Sequence, residues 1–255
     1  MKYALFGDVH DRDLGELEKA LDFHKINSIV CTGDFDSVRS IRQFMELEEK
    51  YLSEGKSVHI VPGNHDYALL RNEPLVSKQL KMQGKEIKDY YNELLNNPEI
   101  YAYLDNLASE YSLSKTGRKI FYLDENNLGK NYRTVVVHGG YSGSLSSYLN
   151  CPEGLMELWF RINPKYEEDY LKNFEIMKEK GDKIMIRGHD HYALYASYSE
   201  SLGKIIKNMP QLHGTDYLLK PDRLHIINPG ALVDGFYAIL DTEEDKFPVL
   251  KYYNL

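Results

Sequence analysis

Val61-Pro62-Gly63-Asn64-His65-Asp66 follows a short run, Val58 to Val61, with the character of a buried strand. Proline and glycine end that run, so Asn64 and His65 are expected together in a turn at a strand tip. The amide oxygen of Asn64 can bind a hard or borderline metal ion, and His65 can bind metal or move protons near neutral pH. Four other stretches pass from apolar residues into a turn that carries the same residue types. They are Gly7-Asp8-Val9-His10, Thr32-Gly33-Asp34, His138-Gly139-Gly140 and Arg187-Gly188-His189-Asp190-His191.

The chain around these turns alternates between strand and helix patterns. Lys2 to Phe6 reads as a buried strand, Leu14, Leu17 and Leu21 give a helical stripe with Asp13 as N-cap, and Ser28 to Cys31 is a second strand. Ser37 then caps a helix carrying Val38, Ile41 and Phe44 that ends at Gly55, before the third strand. Strand, helix, strand, helix, strand predicts parallel pairing through right-handed crossovers. Between Tyr67 and Gly117 the pattern turns polar, helical and rich in tyrosine, which predicts a helical cap or insertion within one domain spanning residues 1–255. Further on, Ile120 to Leu123, Thr134 to Val137 and Ile184 to Ile186 read as strands, and Asn163-Pro164 opens a helix running to Gly181. From Tyr192 onward the chain reads as β, with Asn228-Pro229-Gly230 as a turn.

Composition limits the function classes. With 31 Lys and Arg against 39 Asp and Glu, the formal charge of -8 gives no long-range attraction to nucleic acid or to an anionic membrane. The two cysteines, Cys31 in an apolar run and Cys151 before a proline, have neither metal-site nor disulfide-framework spacing, which suits a reducing compartment. Cys31 reads as a core thiol. No stretch is long enough to span a bilayer, so the expected location is cytoplasmic.

Ligands of open α/β sheets bind beyond the carboxyl ends of the strands, where these tips can converge. The candidate residues are Asp8, His10, Asp34, Asn64, His65, His138, His189 and His191. Oxygen and imidazole ligands without thiolate suit Mn, Fe, Zn, Co or Ni, and the set is larger than one ion takes, so two ions are the natural count. The spacings Asp8-x-His10 and His189-x-His191 would place both side chains on one side of an extended segment.

The ordered motifs Gly7-Asp8-Val9-His10, Gly33-Asp34, Gly63-Asn64-His65-Asp66, His138-Gly139 and Gly188-His189-Asp190-His191 resemble the metal-ligand motifs of calcineurin-like metallophosphoesterases. The resemblance implies an α/β fold, a four-layer αββα sandwich of two mixed sheets flanked by helices. It also implies Asp8, His10 and His191 on one divalent ion, Asn64, His138 and His189 on the other, Asp34 bridging, and His65 as the catalytic histidine. Manganese is the expected metal, ahead of Fe, Zn, Co or Ni. The implied reaction is hydrolysis of a small phosphate ester by a metal-bridging hydroxide, with His65 protonating the leaving oxygen.

Two features depart from family patterns. Asp11 stands where many members have glycine, and Ser37 occupies the place at which the protein Ser/Thr phosphatase branch has an aspartate orienting its catalytic histidine. Asp36 and Asp66 are the remaining candidates to brace His65, and a protein phosphatase is disfavoured. A second enzymatic reading is a nuclease or nucleotide phosphodiesterase, motivated by the tyrosines and by Lys78, Lys81, Lys85 and Lys88 at near-helical spacing. A third is a metal-binding scaffold without catalysis. The expected partner is a small phosphate ester, with a nucleotide among the candidates and no membrane.

Overall fold

The structure, a computed structural model, describes residues 1–71, 87–110, 120–123, 131–143, 156–208, 215–242 and 247–255. Strands β1 (Lys2–Phe6), β2 (Ser28–Cys31) and β3 (Ser57–Ile60) alternate with helices α1 (Gly15–Phe23) and α2 (Val38–Ser53). Next come α3 (Asn64–Arg71), α4 (Ile87–Leu95), α5 (Pro98–Glu110), β4 (Ile120–Leu123), β5 (Thr134–Val137), α6 (Met156–Trp159), α7 (Glu167–Lys180) and β6 (Ile184–Ile186). The C-terminal part supplies β7 (Ala193–Ser199), β8 (Lys204–Asn208), β9 (Tyr217–Leu218), β10 (Arg223–Pro229), β11 (Phe236–Asp241) and β12 (Val249–Asn254).

Two six-stranded sheets result, ordered β3-β2-β1-β11-β12-β9 and β4-β5-β6-β10-β7-β8. Both are mixed. Strands β1, β2 and β3 run parallel in the first sheet, while β5, β6 and β10 run parallel in the second. Strand alternation decides how they stack. Tyr3, Leu5 and Val30 meet Val136, Ile184, Ile186 and Ile227 in the core between the sheets. Their neighbours Ala4, Phe6, Ile29 and Cys31 face α1, α2, α3, α4 and α5, and Val135, Val137, Met185 and Ile226 face α7 through Tyr170, Phe174 and Met177. The layers are therefore helix, sheet, sheet, helix, as expected. Because both faces of the central strands are buried, their sequences are continuous apolar runs. Cys31 is buried, as a core thiol should be.

Local expectations met several corrections. Ser37 does cap α2, accepting from the Ser40 amide at 3.0 Å. Leu14, not Asp13, is the N-cap residue of α1, although Asp13 still accepts from the Gly15 amide at 2.9 Å. Helix α7 begins at Glu167, because Asn163 and Pro164 form a separate turn closed by the Tyr166 amide on the Asn163 carbonyl. Its C-terminal glycine is as expected: Gly181 has φ 76°. Asn64 and His65 open α3 instead of lying in a free turn, and Asn228 and Pro229 are the last residues of β10. In the expected insertion at 67–117, the described helices pack on α2, with Leu69, Leu94, Ile100 and Leu104 in the same core. Lys78, Lys81 and Lys85 lie outside the described residues, as does most of the loop after Gly143.

Candidate metal centre

The tips of β1, β2, β3, β5 and β6 meet where the two sheets approach each other. Glycine makes the approach close: a β-carbon at Gly7 would stand 1.7 Å from Thr32 Oγ1, and one at Gly63 would stand 2.0 Å from Asp34 Oδ1. Each turn thereby brings its predicted ligand inward.

Asp34, Asn64, His138 and His189 form one group. The His138 Nδ1–H donates to the Thr32 carbonyl at 2.6 Å, which leaves the lone pair on Nε2. That nitrogen faces Asn64 Oδ1 at 3.0 Å, His189 Nδ1 at 3.1 Å and Asp34 Oδ2 at 3.2 Å. Four electron-pair donors this close repel unless a proton or cation lies among them, and the set suits a borderline divalent ion. A second group joins Asp8, His10 and His191, with candidate ligand atoms within 4.8 Å of one another. His10 Nδ1 is engaged by Asp36 at 2.6 Å, so its Nε2 turns toward His191 Nε2 at 3.1 Å. His191 Nε2 is 3.6 Å from Asp8 Oδ1. Asp8 also receives the His189 amide on both oxygens at 3.0 Å, tying the groups together.

The backbone at these residues was not readable from spacing. Among the described residues six non-glycine positions have positive φ, and five are predicted ligands: Asp8 (48°), His10 (50°), Asp34 (64°), His189 (71°) and His191 (60°). The extended alternation expected for Asp8-x-His10 and His189-x-His191 is replaced by pairs of left-handed kinks. His189 and His191 consequently point into different groups. Such conformations cost about 1–2 kcal/mol each for residues with a β-carbon, and they persist where the surroundings over-determine them.

His65 is 2% exposed and lies beside both groups. Its Nδ1 is 2.6 Å from Asp36 Oδ1, while the other oxygen of Asp36 holds His10. Asp36 is therefore the brace of His65. Asp66 has a different task, accepting the amides of Gly63 at 2.7 Å and of Asp34 and Phe35 at 2.9 Å. Burial raises the carboxyl of Asp36, but His65 and His10 outweigh it and hold it below its ordinary range. Burial lowers His65, yet Asp34 and Asp36 together push it up to about 10. Burial, reinforced by Arg161, keeps His189 well below its usual value and therefore neutral, as a ligand must be.

Sequence reasoning left several supporting residues unassigned. Thr32 fixes the His138 tautomer, Asn228 donates to the Gly188 carbonyl at 3.0 Å, and Arg187, fully buried, pairs with Asp190 and donates to the Gly139 carbonyl. Only the Asn228 turn carried a signal, its place late in the chain.

The sequence profile of the calcineurin-like phosphoesterases matches residues 1–193, which includes every predicted ligand. The chain belongs to the calcineurin-like phosphoesterase family. Such a phosphoesterase hydrolyses phosphate esters with metal bound, and the two His and Asp groups provide a site for divalent ions. No curated protein matches the sequence. Among solved structures, a metallophosphoesterase from Sphaerobacter thermophilus aligns over 100% of this chain and 88% of its own, with 21% identity and a TM-score of 0.61, which establishes the shared fold. A Thermotoga maritima protein aligns with 14% identity, over 100% of this chain and 99% of its own (TM-score 0.43). GAP50, the anchor in the inner membrane complex of Plasmodium, aligns with 14% identity, over 100% and 84% (TM-score 0.44). Among the described residues of this phosphoesterase, no helix is long and apolar enough to cross a membrane.

Proposed function

We propose that this phosphoesterase hydrolyses a small phosphate ester with two divalent ions, manganese foremost, and with His65 as the general acid. Asp8, His10 and His191 would hold one ion, Asn64, His138 and His189 the other, and Asp34 would serve both. The observation that carries the reading is the contact of Asp36 with two histidines through its two oxygens, at 2.6 Å each. When bound, the ions supply Lewis acidity to the phosphoryl oxygens and a nucleophilic water at neutral pH.

The chain itself supplies orientation and the proton. With Nδ1 committed to Asp36, His65 has only Nε2–H left to give, and the ring cannot turn without breaking a buried charge-assisted bond. A fixed imidazolium suits protonation of a leaving alkoxide. Asp34 and Asp36 raise His65, and divalent charge held by the candidate ligands would oppose them and bring His65 down toward the working range. Tyr90 is buried among the helices, and Tyr101 and Tyr103 pack against the same core, so these tyrosines serve packing instead of base stacking.

The test combines metal analysis with kinetics on a generic monoester. Native protein should bind two ions per chain, lose activity on chelation and recover it with manganese. His65→Ala should keep both ions while kcat falls by a factor of about 10²–10⁴. Normal turnover in that variant would remove His65 from its role, and native protein that binds no metal would point to the scaffold reading.

A further inference from the structure

Arg187 is fully buried and stands one residue before the turn Gly188-His189-Asp190-His191. Its guanidinium has three separate targets. Nε donates to the Gly139 carbonyl, Nη1 pairs with Asp190 Oδ2, and Nη2 donates to the Phe160 carbonyl at 3.2 Å. Gly139 follows His138, and Asp190 follows His189. These two histidines face each other, Nε2 to Nδ1, at 3.1 Å within one group. One side chain thus joins the turns that carry a facing pair of predicted ligands. Both turns are rich in glycine, with Gly139 and Gly140 after His138 and Gly188 before His189, and glycine leaves a backbone its greatest freedom. No side chain can stiffen the second turn from Gly188, where a β-carbon would stand 2.5 Å from Thr32 Oγ1 and 2.8 Å from Asp8 Oδ2. His189 is itself kinked, at φ 71°, a conformation that persists where its surroundings over-determine it. Past the ends of β5 and β6, the Gly188 amide donates to the His138 carbonyl at 2.9 Å. One such bond is a hinge, and Arg187 adds further points of attachment that fix the angle between the turns.

We infer that Arg187 is a positioning residue that sets the directions of His138 and His189 toward a shared ion, through Gly139 and Asp190. The inference rests on the two-ion reading above, in which these histidines and Asn64 hold the same ion. Stability alone is a poor reason for such a pair. Taking a guanidinium and a carboxylate out of water costs about as much as their attraction returns, and apolar residues of similar volume usually hold a fold as well. The pair is also neutral as a whole, so it stiffens the turns without repelling divalent ions. Asp190 Oδ2 accepts the Ile162 amide at 3.3 Å as well, and is thereby fixed from a second side. The dependence should be selective. The ion of Asn64, His138 and His189 draws two ligands from the joined turns, whereas the ion of Asp8, His10 and His191 draws only His191 from them.

The experiment titrates metal-free wild type, the double variant Arg187→Met with Asp190→Asn, and Arg187→Lys with manganese, followed by calorimetry and by electron paramagnetic resonance of the bound ions. The thermal midpoint of each metal-free protein is measured alongside. The double variant leaves no buried charge unpaired, so it should fold with a midpoint near that of wild type. Its affinity at one ion site should fall roughly tenfold to a hundredfold, the cost of losing support behind a metal-bound histidine, while the other site changes less. The resonance spectrum at full loading should differ from that of wild type. Arg187→Lys keeps the charge beside Asp190 without the planar fork and should fall between. Equal weakening at both sites overturns the inference. So does a lowered midpoint with wild-type affinities and an unchanged spectrum, the result of a pair that serves the fold alone. If the double variant does not fold, the lysine variant decides, and wild-type affinity at both sites in it overturns the inference. Wild type that binds no manganese removes the two-ion reading and this inference with it, whereas wild type with two ions and a double variant that binds both as tightly removes Arg187 alone.

Discussion

Asp36 gives one oxygen to His10 and the other to His65, so a single carboxylate serves a predicted ligand and the predicted acid. Asp36→Asn can offer only one acceptor oxygen and must turn an amide donor toward the other ring. Its metal affinity should drop about tenfold to a hundredfold, as for other partners of metal-bound histidines, and kcat at saturating manganese should fall by a further factor of about 10². Titrating activity against metal separates the two losses. Asp66→Asn should behave otherwise, because Asp66 receives three backbone amides and touches no histidine ring. Replacing one charged acceptor oxygen by an amide there should cost on the order of 3 kcal/mol, read as a lower denaturant midpoint. From sequence alone the two aspartates were equivalent candidates to orient His65. What separates them is geometry: left-handed Asp34 swings the following residues so that Asp36 reaches both rings, while Asp66 sits within the first turn of α3 and turns back to the amides of Gly63, Asp34 and Phe35.

At the scale of elements, β10 carries a titratable group that the reaction does not use. His225 is fully buried, its Nε2–H donates to the Lys220 carbonyl at 2.9 Å, and its Nδ1 accepts from the Tyr195 hydroxyl at 2.9 Å. Burial lowers it to about 4. The unfolded chain, with an ordinary histidine value, binds a proton that the native state refuses between about pH 6.5 and 4, so stability falls as pH drops through that window. The loss should approach about 3 kcal/mol at the lower end. His225→Gln should flatten the fall in thermal midpoint between pH 7 and 5, which a pair of melting curves would check. Helix α7 secures the turn after β5 in a comparable way. The Asn173 side chain accepts from the Tyr141 and Ser142 amides and donates to the Ser142 and Asp169 carbonyls. The strands around this turn were legible because their apolar runs are unbroken. The start of α7 was misplaced because a cap-like Asn-Pro pair forms an independent turn, and α6, at four residues, is too short for any period to show.

The whole molecule works as two sheets pressed together so that strand tips from both reach one place. The five kinked residues predicted as ligands, and the facing lone pairs of Asp34, Asn64, His138 and His189, should make the centre a net burden on the fold when no cation is held there. Metal binding should therefore raise the thermal midpoint together with activity. Free ion at a hundredfold above Kd stabilises by about 2.7 kcal/mol, and a chelator should remove that increment reversibly. Thermal melts with and without chelator, followed by manganese readdition, would measure it, and an unchanged midpoint would place ion binding elsewhere.

The sequence by itself showed the buried strands and marked the candidate ligands at their tips, and its resemblance to the family implied the sandwich. Continuous apolar strands demand burial on both faces, and residues that cluster in turns directly after such strands must share an end of the sheet. Only the tertiary structure decided how those residues divide into groups, which aspartate braces His65, and that Arg187 joins the turns of His138 and His189. Each of these contacts joins positions far apart in the chain, from 26 residues between His10 and Asp36 to 181 between His10 and His191. Spacing carries no information at that range, because left-handed kinks, buried ion pairs and the meeting of two sheets set the directions of the side chains.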